Sequence, residues 1–273
     1  MLNTFIKTIL SSTKLTACIF LITVCSSSFS FAADNEELQK FIDAYQPQDQ
    51  QAISNIIDQY RKAAAITAER DSNRQSFGSM NAPVNLLEWI DIQCPHCKNL
   101  NLALEELQMR TSPDAWRIES RHFPLDDDCN PYGPRSRKPG VSCLAAKVLI
   151  CLADKPNIKE IRNELFAQQR FLTKDIIWNT AAENGDALKE LKACVDSEKT
   201  KAILKEDIEL AEAHKIRGTP LVVINGRKAS AVPPIIYALI LAEGNVNAEP
   251  FTKLPPPQEI KQQPGHEGHN HDH

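Results

Sequence analysis

The first apolar run of the chain is short and lies close to the N-terminus. Lys7 and Lys14 precede it, it occupies residues 15–24, and small and polar residues follow as far as Ala32. A run of about ten residues is roughly half of what a membrane-spanning helix needs, and this order of segments is typical of a secretory signal peptide. We predict that residues 1–32 are a signal peptide cleaved after Ala32, with a retained anchor as the alternative.

Residues 33–77 are predicted to be an N-terminal helical extension. Apolar residues recur at helical spacing from Leu38 to Tyr45, and after a break at Pro47 they recur at intervals of four and three as far as Thr67. The second series spans only two heptads, which is short for a coiled coil. We favour helices that lie on their own domain over a stalk for self-association, and the oligomeric state stays open.

Residues 78–249 alternate between strand and helix signals. Apolar or alternating runs predict strands at 84–90, 116–123, 221–224 and 227–232. Leucines at helical spacing follow the first strand, a block of several helices occupies about 142–214, and Asn225-Gly226 supplies the two-residue turn of a hairpin before a last helix. This order predicts an α/β protein with a thioredoxin-like fold and an inserted helical domain.

Net charge and cysteine content limit the functions and the cell compartment that are possible for this chain. The 31 basic and 35 acidic residues give a net charge of −4, and loss of Lys7 and Lys14 with the signal peptide leaves 29 against 35, or −6. A net negative chain is poorly suited to neutralising a phosphate backbone, so nucleic-acid binding is not expected.

Eight cysteines become six when Cys18 and Cys25 are removed. An even number of cysteines in an exported chain predicts disulfides in an oxidising compartment, which we take to be the bacterial periplasm.

Cys94 and Cys97 are separated by Pro95 and His96, where a predicted strand gives way to a helix. Cys94 then lies at the positive end of the helix dipole, which stabilises its thiolate. Pro95 suits the first helical turn, where its missing N–H is not needed, and His96 is expected to favour the thiolate as a donor or a cation. A stabilised thiolate is a good leaving group, so a Cys94–Cys97 disulfide is expected to pass readily to a substrate thiol.

The main alternative for this motif is a zinc knuckle, in which the two cysteines supply half of a tetrahedral site. Such a site needs a second pair of ligands, and no other two cysteines have the same spacing. We therefore favour redox chemistry over metal binding at this motif, and we predict no cofactor.

Residues 250–273 are rich in proline and end in a cluster of histidines. The segment cannot bury much apolar surface and is predicted to be disordered. Its last histidines are His266, His269, His271 and His273. They can bind copper, nickel or zinc weakly as a flexible chelator, or they can be merely solvated. No metal is expected to be essential.

Three segments resemble the DsbA-type thiol:disulfide oxidoreductases of the thioredoxin superfamily. They are residues 88–97, 216–220 and 223–226, which occur in the family's order. The resemblance implies that Pro220 is cis and lies opposite Cys94, and that Thr219 offers backbone hydrogen bonds to a substrate peptide. It also implies that Glu88 is an acid that shuttles protons to and from Cys97. The alternation of the strand does not decide which way Glu88 faces, and we favour burial over exposure to water.

The passage from Phe123 to Cys143 is similar to DsbA-like domains found alongside, or fused to, bacterial vitamin K epoxide reductase homologues. Those domains carry extra cysteines in the helical insertion. The resemblance implies that a membrane partner of this type, or one of DsbB type, reoxidises the protein. The sequence does not choose between the two.

The four other cysteines are Cys129, Cys143, Cys151 and Cys194. If one helix covers 142–154, Cys143 and Cys151 are about 12 Å apart at 1.5 Å per residue, whereas a disulfide allows at most about 7 Å between Cα atoms. The distance excludes a Cys143–Cys151 disulfide, and with it the scheme that also pairs Cys129 with Cys194. Of the two schemes that remain, we prefer the structural disulfides Cys129–Cys143 and Cys151–Cys194. A redox relay through one of these pairs is the functional alternative.

Three functions are compatible with these patterns. The favoured one is a periplasmic thiol:disulfide oxidase that donates the Cys94–Cys97 disulfide to exported proteins with free thiols. The second is an isomerase or reductase, which keeps the pair reduced and acts as an oligomer. The third is a metal-binding tolerance protein that uses the histidine-rich tail.

Overall fold

The computed structural model describes residues 28–68, 71, 73–182, 185–216 and 218–258. Most of the predicted signal peptide and all four C-terminal histidines lie outside this part of the chain. Within the described ranges, no helix is both long enough and apolar enough to cross a membrane.

A five-stranded mixed sheet forms the centre of the protein. Its strands are β1 (Ser76–Gly78), β2 (Val84–Ile90), β3 (Trp116–His122), β4 (Leu221–Ile224) and β5 (Arg227–Ala229). Their order is β1-β3-β2-β4-β5, with β2 and β3 parallel and the other pairs antiparallel. The interior strands are β2, β3 and β4. β2 and β4 are largely apolar, as expected of strands that are covered on both faces, whereas β3 buries several charged and polar side chains.

Helices cover both faces of this sheet. They are α1 (Ser28–Asp43), α2 (Pro47–Lys62), α3 (Pro95–Arg110), α4 (Val141–Cys151), α5 (Ile158–Ala167), α6 (Lys174–Ala181), α7 (Gly185–Asp196), α8 (Glu198–Ala213), α9 (Pro233–Leu241) and α10 (Glu249–Thr252), with a 3-10 turn at Gln169–Phe171. The inserted block between β3 and β4 is helical, as predicted. Thr173 and Ser197 begin α6 and α8 by accepting backbone N–H groups with their side chains, which is the usual role of these residues at helix starts.

The N-terminal extension packs on its own domain. Ile53, Ile57 and Tyr60 of α2 are buried in the same core as α3 and α9, and the Tyr60 hydroxyl donates to the Ile224 carbonyl at 2.7 Å. Because α2 ends at Lys62, the apolar series that suggested a stalk does not continue as one helix. The favoured arrangement of the extension is confirmed.

Two parts of the fold differ from the sequence prediction. The edge strand β1 was not predicted, because three residues with one half-buried side chain carry too little pattern. The prediction of disorder from residue 250 is wrong for 250–258, where Phe251 and Leu254 are buried and Ser54 donates to the Pro255 carbonyl at 2.6 Å. Two apolar anchors hold this short stretch on the domain, although its overall composition is polar and proline-rich.

Candidate active site

The active-site cysteines lie where β2 ends and α3 begins. Cys94 has extended backbone angles and precedes the first helical residue, Pro95, so the positive end of the helix dipole faces its sulfur. Cys94 is 5% exposed and Cys97 is fully buried, and both carry free thiols. The side chain of His96 is exposed. Only Cys94 is therefore placed to meet a substrate.

The loop before β4 faces Cys94. The bond between Thr219 and Pro220 is cis, and the Cys94 thiol donates to the Thr219 carbonyl at 3.2 Å. The Thr219 hydroxyl is buried and has no hydrogen-bond partner among the described residues. That hydroxyl is available to donate to a sulfur anion once Cys94 ionises.

The two sulfurs have opposite acidities. When Cys94 ionises, its sulfur can accept hydrogen bonds from the Cys97 thiol, the Thr219 hydroxyl and the backbone N–H groups of Cys97 and His96. These hydrogen bonds outweigh its burial and lower its pKa to about 5. Burial, followed by the neighbouring Cys94 anion, raises the pKa of Cys97. Cys94 is thus the sulfur that attacks or leaves, and Cys97 is the protected partner. The contact from His96 is made by its backbone N–H, whereas the sequence had pointed to its imidazole.

Glu88 lies in the middle of β2 and is fully buried, as favoured from the sequence. Its carboxylate accepts a hydrogen bond from the Ser120 hydroxyl at 2.6 Å and pairs with Arg162 of α5 at 2.7 Å. Glu88 Oε2 has no hydrogen-bond partner within the described part of the chain. The structure therefore shows Glu88 as an anchor between sheet and insertion, and its role as a proton shuttle for Cys97 stays a prediction.

Asp91 is a buried residue of the site that the sequence analysis missed. Its carboxylate accepts the N–H of Gln93 (2.6 Å), the N–H of Leu125 (2.6 Å) and the hydroxyl of Ser142 (2.9 Å). Burial is the main cause that raises the pKa of Asp91. Asp91 ties the loop before Cys94 to the end of β3 and to the start of α4. An aspartate whose side chain can accept the N–H two residues later is a turn signal, and this signal was present.

A family model described as thioredoxin matches residues 70–234, which is more than half of the chain. The chain belongs to the thioredoxin family. The matched region contains the strands β1 to β5, the cysteine pair and the cis-proline loop. The fold and the reactive pair of this thioredoxin-family protein thus fall within one matched segment.

Individual relatives are distant. The sodium/proton antiporter NhaA 1 of Mycolicibacterium gilvum (strain PYR-GCK) is 27% identical over 60% of this chain, which spans about a quarter (24%) of that protein's length. The probable disulfide bond formation protein D of Bacillus anthracis is 22% identical, over 58% of this chain and 73% of that protein. The crystal structure of oxidised BdbD from Bacillus subtilis has a TM-score of 0.52 at 18% identity, covering 66% of this chain and 97% of that one. This last likeness shows the fold alone, which is thioredoxin-like.

The four other cysteines in the described part of this thioredoxin-family protein form two disulfides, Cys129–Cys143 and Cys151–Cys194. This is the pairing preferred from the sequence, and Cys143 and Cys151 do lie on one helix, α4. Among the described residues, no group of three or more His, Cys, Asp or Glu side chains could hold a metal ion. The predicted chelating histidines lie outside these residues.

We predict that Thr219→Val raises the pKa of Cys94. The substitution keeps the shape of the side chain and removes a hydroxyl that donates to the Cys94 anion. A hydrogen bond to a charged group contributes about 1.5 kcal/mol, so the pKa should rise by about one unit. The pH dependence of the ultraviolet absorbance of the thiolate measures the change. Thr219→Ser keeps the hydroxyl and is the control, and an equal pKa in both variants would rule out this role.

Proposed function

We propose that this protein is a periplasmic thiol:disulfide oxidase that donates the Cys94–Cys97 disulfide to exported proteins. The observation that carries the proposal is the opposite acidity of the two sulfurs. The pKa of Cys94 is lowered to about 5 and that of Cys97 is raised. Stabilising the Cys94 anion stabilises the reduced form, and a protein whose reduced form is stabilised is a strong oxidant of other thiols.

The reaction proceeds by two exchanges. A substrate thiolate attacks Cys94 of the disulfide, the bond to Cys97 breaks, and the Cys97 sulfur leaves and takes up a proton. A second substrate thiolate then attacks the substrate sulfur of this mixed disulfide and releases the Cys94 thiolate. Two electrons pass from the substrate dithiol to the protein, and a membrane partner of DsbB or vitamin K epoxide reductase type removes them. In this proposal Thr219 and Pro220 hold the substrate backbone, and Glu88 exchanges the Cys97 proton.

Two features support a periplasmic location. The N-terminal 32 residues have the order of segments of a signal peptide. The disulfides Cys129–Cys143 and Cys151–Cys194 are of a kind that persists in oxidising compartments and is rare in the cytosol. The isomerase alternative depended on an N-terminal stalk, and the apolar face of α2 is instead buried in its own domain, so the oxidase is the function we propose.

Equilibration of the purified protein with glutathione tests the direction of the reaction. We expect a reduction potential of about −120 mV, as in a strong oxidant, because the Cys94 thiolate is stabilised. A potential near about −270 mV would instead identify a reductase and refute the proposal. Cys94→Ser should abolish exchange. Cys97→Ser should accumulate mixed disulfides when its Cys94 thiolate attacks disulfides of exported proteins, because the second sulfur needed to release them is missing. Deleting residues 265–273 should leave exchange intact, and its loss would favour the metal-binding alternative.

A further inference from the structure

The 3-10 turn at Gln169–Phe171, between α5 and α6, is fixed against the loop that carries Cys94. The Gln169 side-chain amide donates to the carbonyls of Ile92 (2.5 Å) and Cys94 (2.8 Å). Lys98 of α3 donates to the Ala167 carbonyl at 3.4 Å, just before the turn. This part of the helical insertion is therefore held beside the reactive sulfur.

The turn presents a large apolar side chain to solvent. Phe171 is 71% exposed, whereas the adjacent Leu172 is fully buried. The guanidinium of Arg170 lies 5.7 Å from the centre of the Phe171 ring, which is within the range of a cation–π contact. An aromatic ring that is fixed, exposed and backed by a cation is a surface to which an apolar side chain can bind.

A basic loop borders this turn. Lys138 donates to the carbonyls of Arg170 and Leu172 at 3.2 and 3.1 Å. These two bonds tie the loop at residues 135–138 to both neighbours of Phe171. The aromatic ring and the charges of the loop thus belong to one surface.

The charge on this surface is positive. Lys138 and Arg170 lie on it through the contacts above, and Arg135 and Arg137 are exposed residues of the same loop. Within the described residues, none of them forms a salt bridge. Asp127, which accepts the N–H of Ser136 at 3.1 Å, offsets part of the charge. A local excess of positive charge in a chain of net charge −4 is suited to an acidic ligand.

We infer that Phe171 and these cations form a second contact for the polypeptide that reacts at Cys94. The contact selects substrate cysteines that have apolar and acidic neighbours in sequence. The inference rests on the proposed function and names the sequence context of the substrate cysteines that the site prefers. An extended segment of the substrate can place its cysteine at Cys94 and nearby side chains on Phe171 at the same time.

The reach of this contact follows from chain dimensions. Phe171 is two residues from Gln169, at most about 7.6 Å between Cα atoms, and the Gln169 side chain bonds directly to the Cys94 carbonyl. The whole span is therefore about 15 Å, and an extended substrate advances roughly 3.3 Å per residue. Side chains within about five positions of the substrate cysteine can reach Phe171.

The test uses Cys97→Ser protein, whose Cys94 is its one active-site thiol, and cysteine peptides activated as mixed disulfides with thionitrobenzoate. The Cys94 thiolate attacks the peptide sulfur, a Cys94–peptide disulfide forms, and the coloured thionitrobenzoate anion leaves. One peptide carries leucine and glutamate at two adjacent positions, the nearer of them three residues from its cysteine. Its partner carries serine and lysine at the same two positions. Activated glutathione is the small reference. These rates depend only on attack by Cys94, so they can be measured even if the oxidase proposal fails its glutathione test.

We expect the leucine–glutamate peptide to react about tenfold faster than its partner, equivalent to about 1.4 kcal/mol. Adding Phe171→Ala or Arg170→Ala should reduce this preference to about twofold or less. Met109→Ala, which removes an 81% exposed apolar side chain at the end of α3, should leave the preference unchanged. Equal rates for the two peptides in protein with Phe171 intact would overturn the inference. The inference would also be overturned if Phe171→Ala slowed the reaction with activated glutathione as much as the reaction with the leucine–glutamate peptide.

Discussion

In the reduced protein, iodoacetamide is expected to alkylate Cys94 at half its limiting rate near pH 5, while Cys97 stays protected. Alkylation requires the thiolate, and the pKa of Cys94 is lowered to about 5 by the hydrogen bonds that its sulfur accepts. An ordinary cysteine reaches half its limiting rate near about pH 8.5. Mass spectrometry of samples quenched at a series of pH values gives the midpoint. A midpoint near that of an ordinary thiol would defeat both this prediction and the proposed oxidase.

The cause of the low pKa can be tested with two substitutions at one position. The Cys97 thiol is the largest contributor to the lowered pKa of Cys94. Cys97→Ser retains a hydroxyl that can donate, whereas Cys97→Ala removes the donor. A hydrogen bond to an anion contributes about 1.5–3 kcal/mol, so Cys97→Ala should raise the midpoint by about one to two units relative to Cys97→Ser. Identical midpoints would show that the helix N-terminus and the other donors suffice.

The same titration makes the stability of the reduced protein depend on pH. The folded pKa of Cys94, about 5, is below the unfolded value of about 8.5. Between these values the unfolded chain binds a proton that the folded chain does not, so stability rises with pH. The contribution of the thiolate is complete above the unfolded pKa and is lost as pH falls through 5. Urea unfolding of reduced and oxidised protein at pH 5 and pH 8 measures this effect. From pH 5 to pH 8, the free energy of unfolding of the reduced form should increase relative to that of the oxidised form.

Local patterns specified much of this fold. The first central strand was predicted at residues 84–90 and is found there as β2, because a buried strand between turn signals has a continuous apolar run. Asn225 and Gly226 have positive φ angles of 45° and 75°, as the predicted hairpin requires. Strand β1 escaped prediction, since its pairing with β3 decides its conformation and its three residues do not.

The site was predicted where its residues are close in sequence and missed where they are not. Cys94 and Cys97 are the first and last residues of one four-residue motif, and the position of Cys94 at the start of a helix already predicted that its thiolate is stabilised. Gln169 bonds to the Cys94 carbonyl from 75 positions away, and Ser142 bonds to Asp91 across 51 positions. No periodicity or spacing in the sequence records such contacts, because the packing of the insertion against the sheet creates them.

A buried ionic cluster beneath the sheet leads to the largest expected change in stability. The carboxylate of Asp207, on α8, receives Arg74 at 2.7 Å, Arg121 at 3.4 Å and the backbone N–H of His122 at 3.1 Å. The side chains of Asp207 and both arginines are at most 1% exposed. Arg74 precedes β1, Arg121 is on β3, and α8 is in the insertion. This one carboxylate therefore joins three parts of the chain that are distant in sequence.

Asp207→Ala is expected to lower the free energy of unfolding by about 3–5 kcal/mol, because Arg74 and Arg121 lose a buried carboxylate and keep only their other partners, among them Asp71 and Glu119. Burial is the first cause that raises the pKa of Asp207, to about 6, so urea unfolding at pH 7.5 compares the variant with an ionised carboxylate. The indole N–H of Trp89 donates to the Asp207 backbone carbonyl, and this bond survives the substitution. The measured loss therefore reports the carboxylate.

The adjacent glutamate provides the matched control. Glu206 pairs with the same two arginines, at 3.3 and 4.0 Å, but its side chain is 63% exposed. Water screens such a pair, and exposed ion pairs contribute about 0–1 kcal/mol, so Glu206→Ala should change stability by less than about 1 kcal/mol. Equal losses in the two variants would mean that burial does not set the strength of this cluster. In that case water would reach Asp207, and Arg74 and Arg121 would stay buried beneath the sheet without its charge.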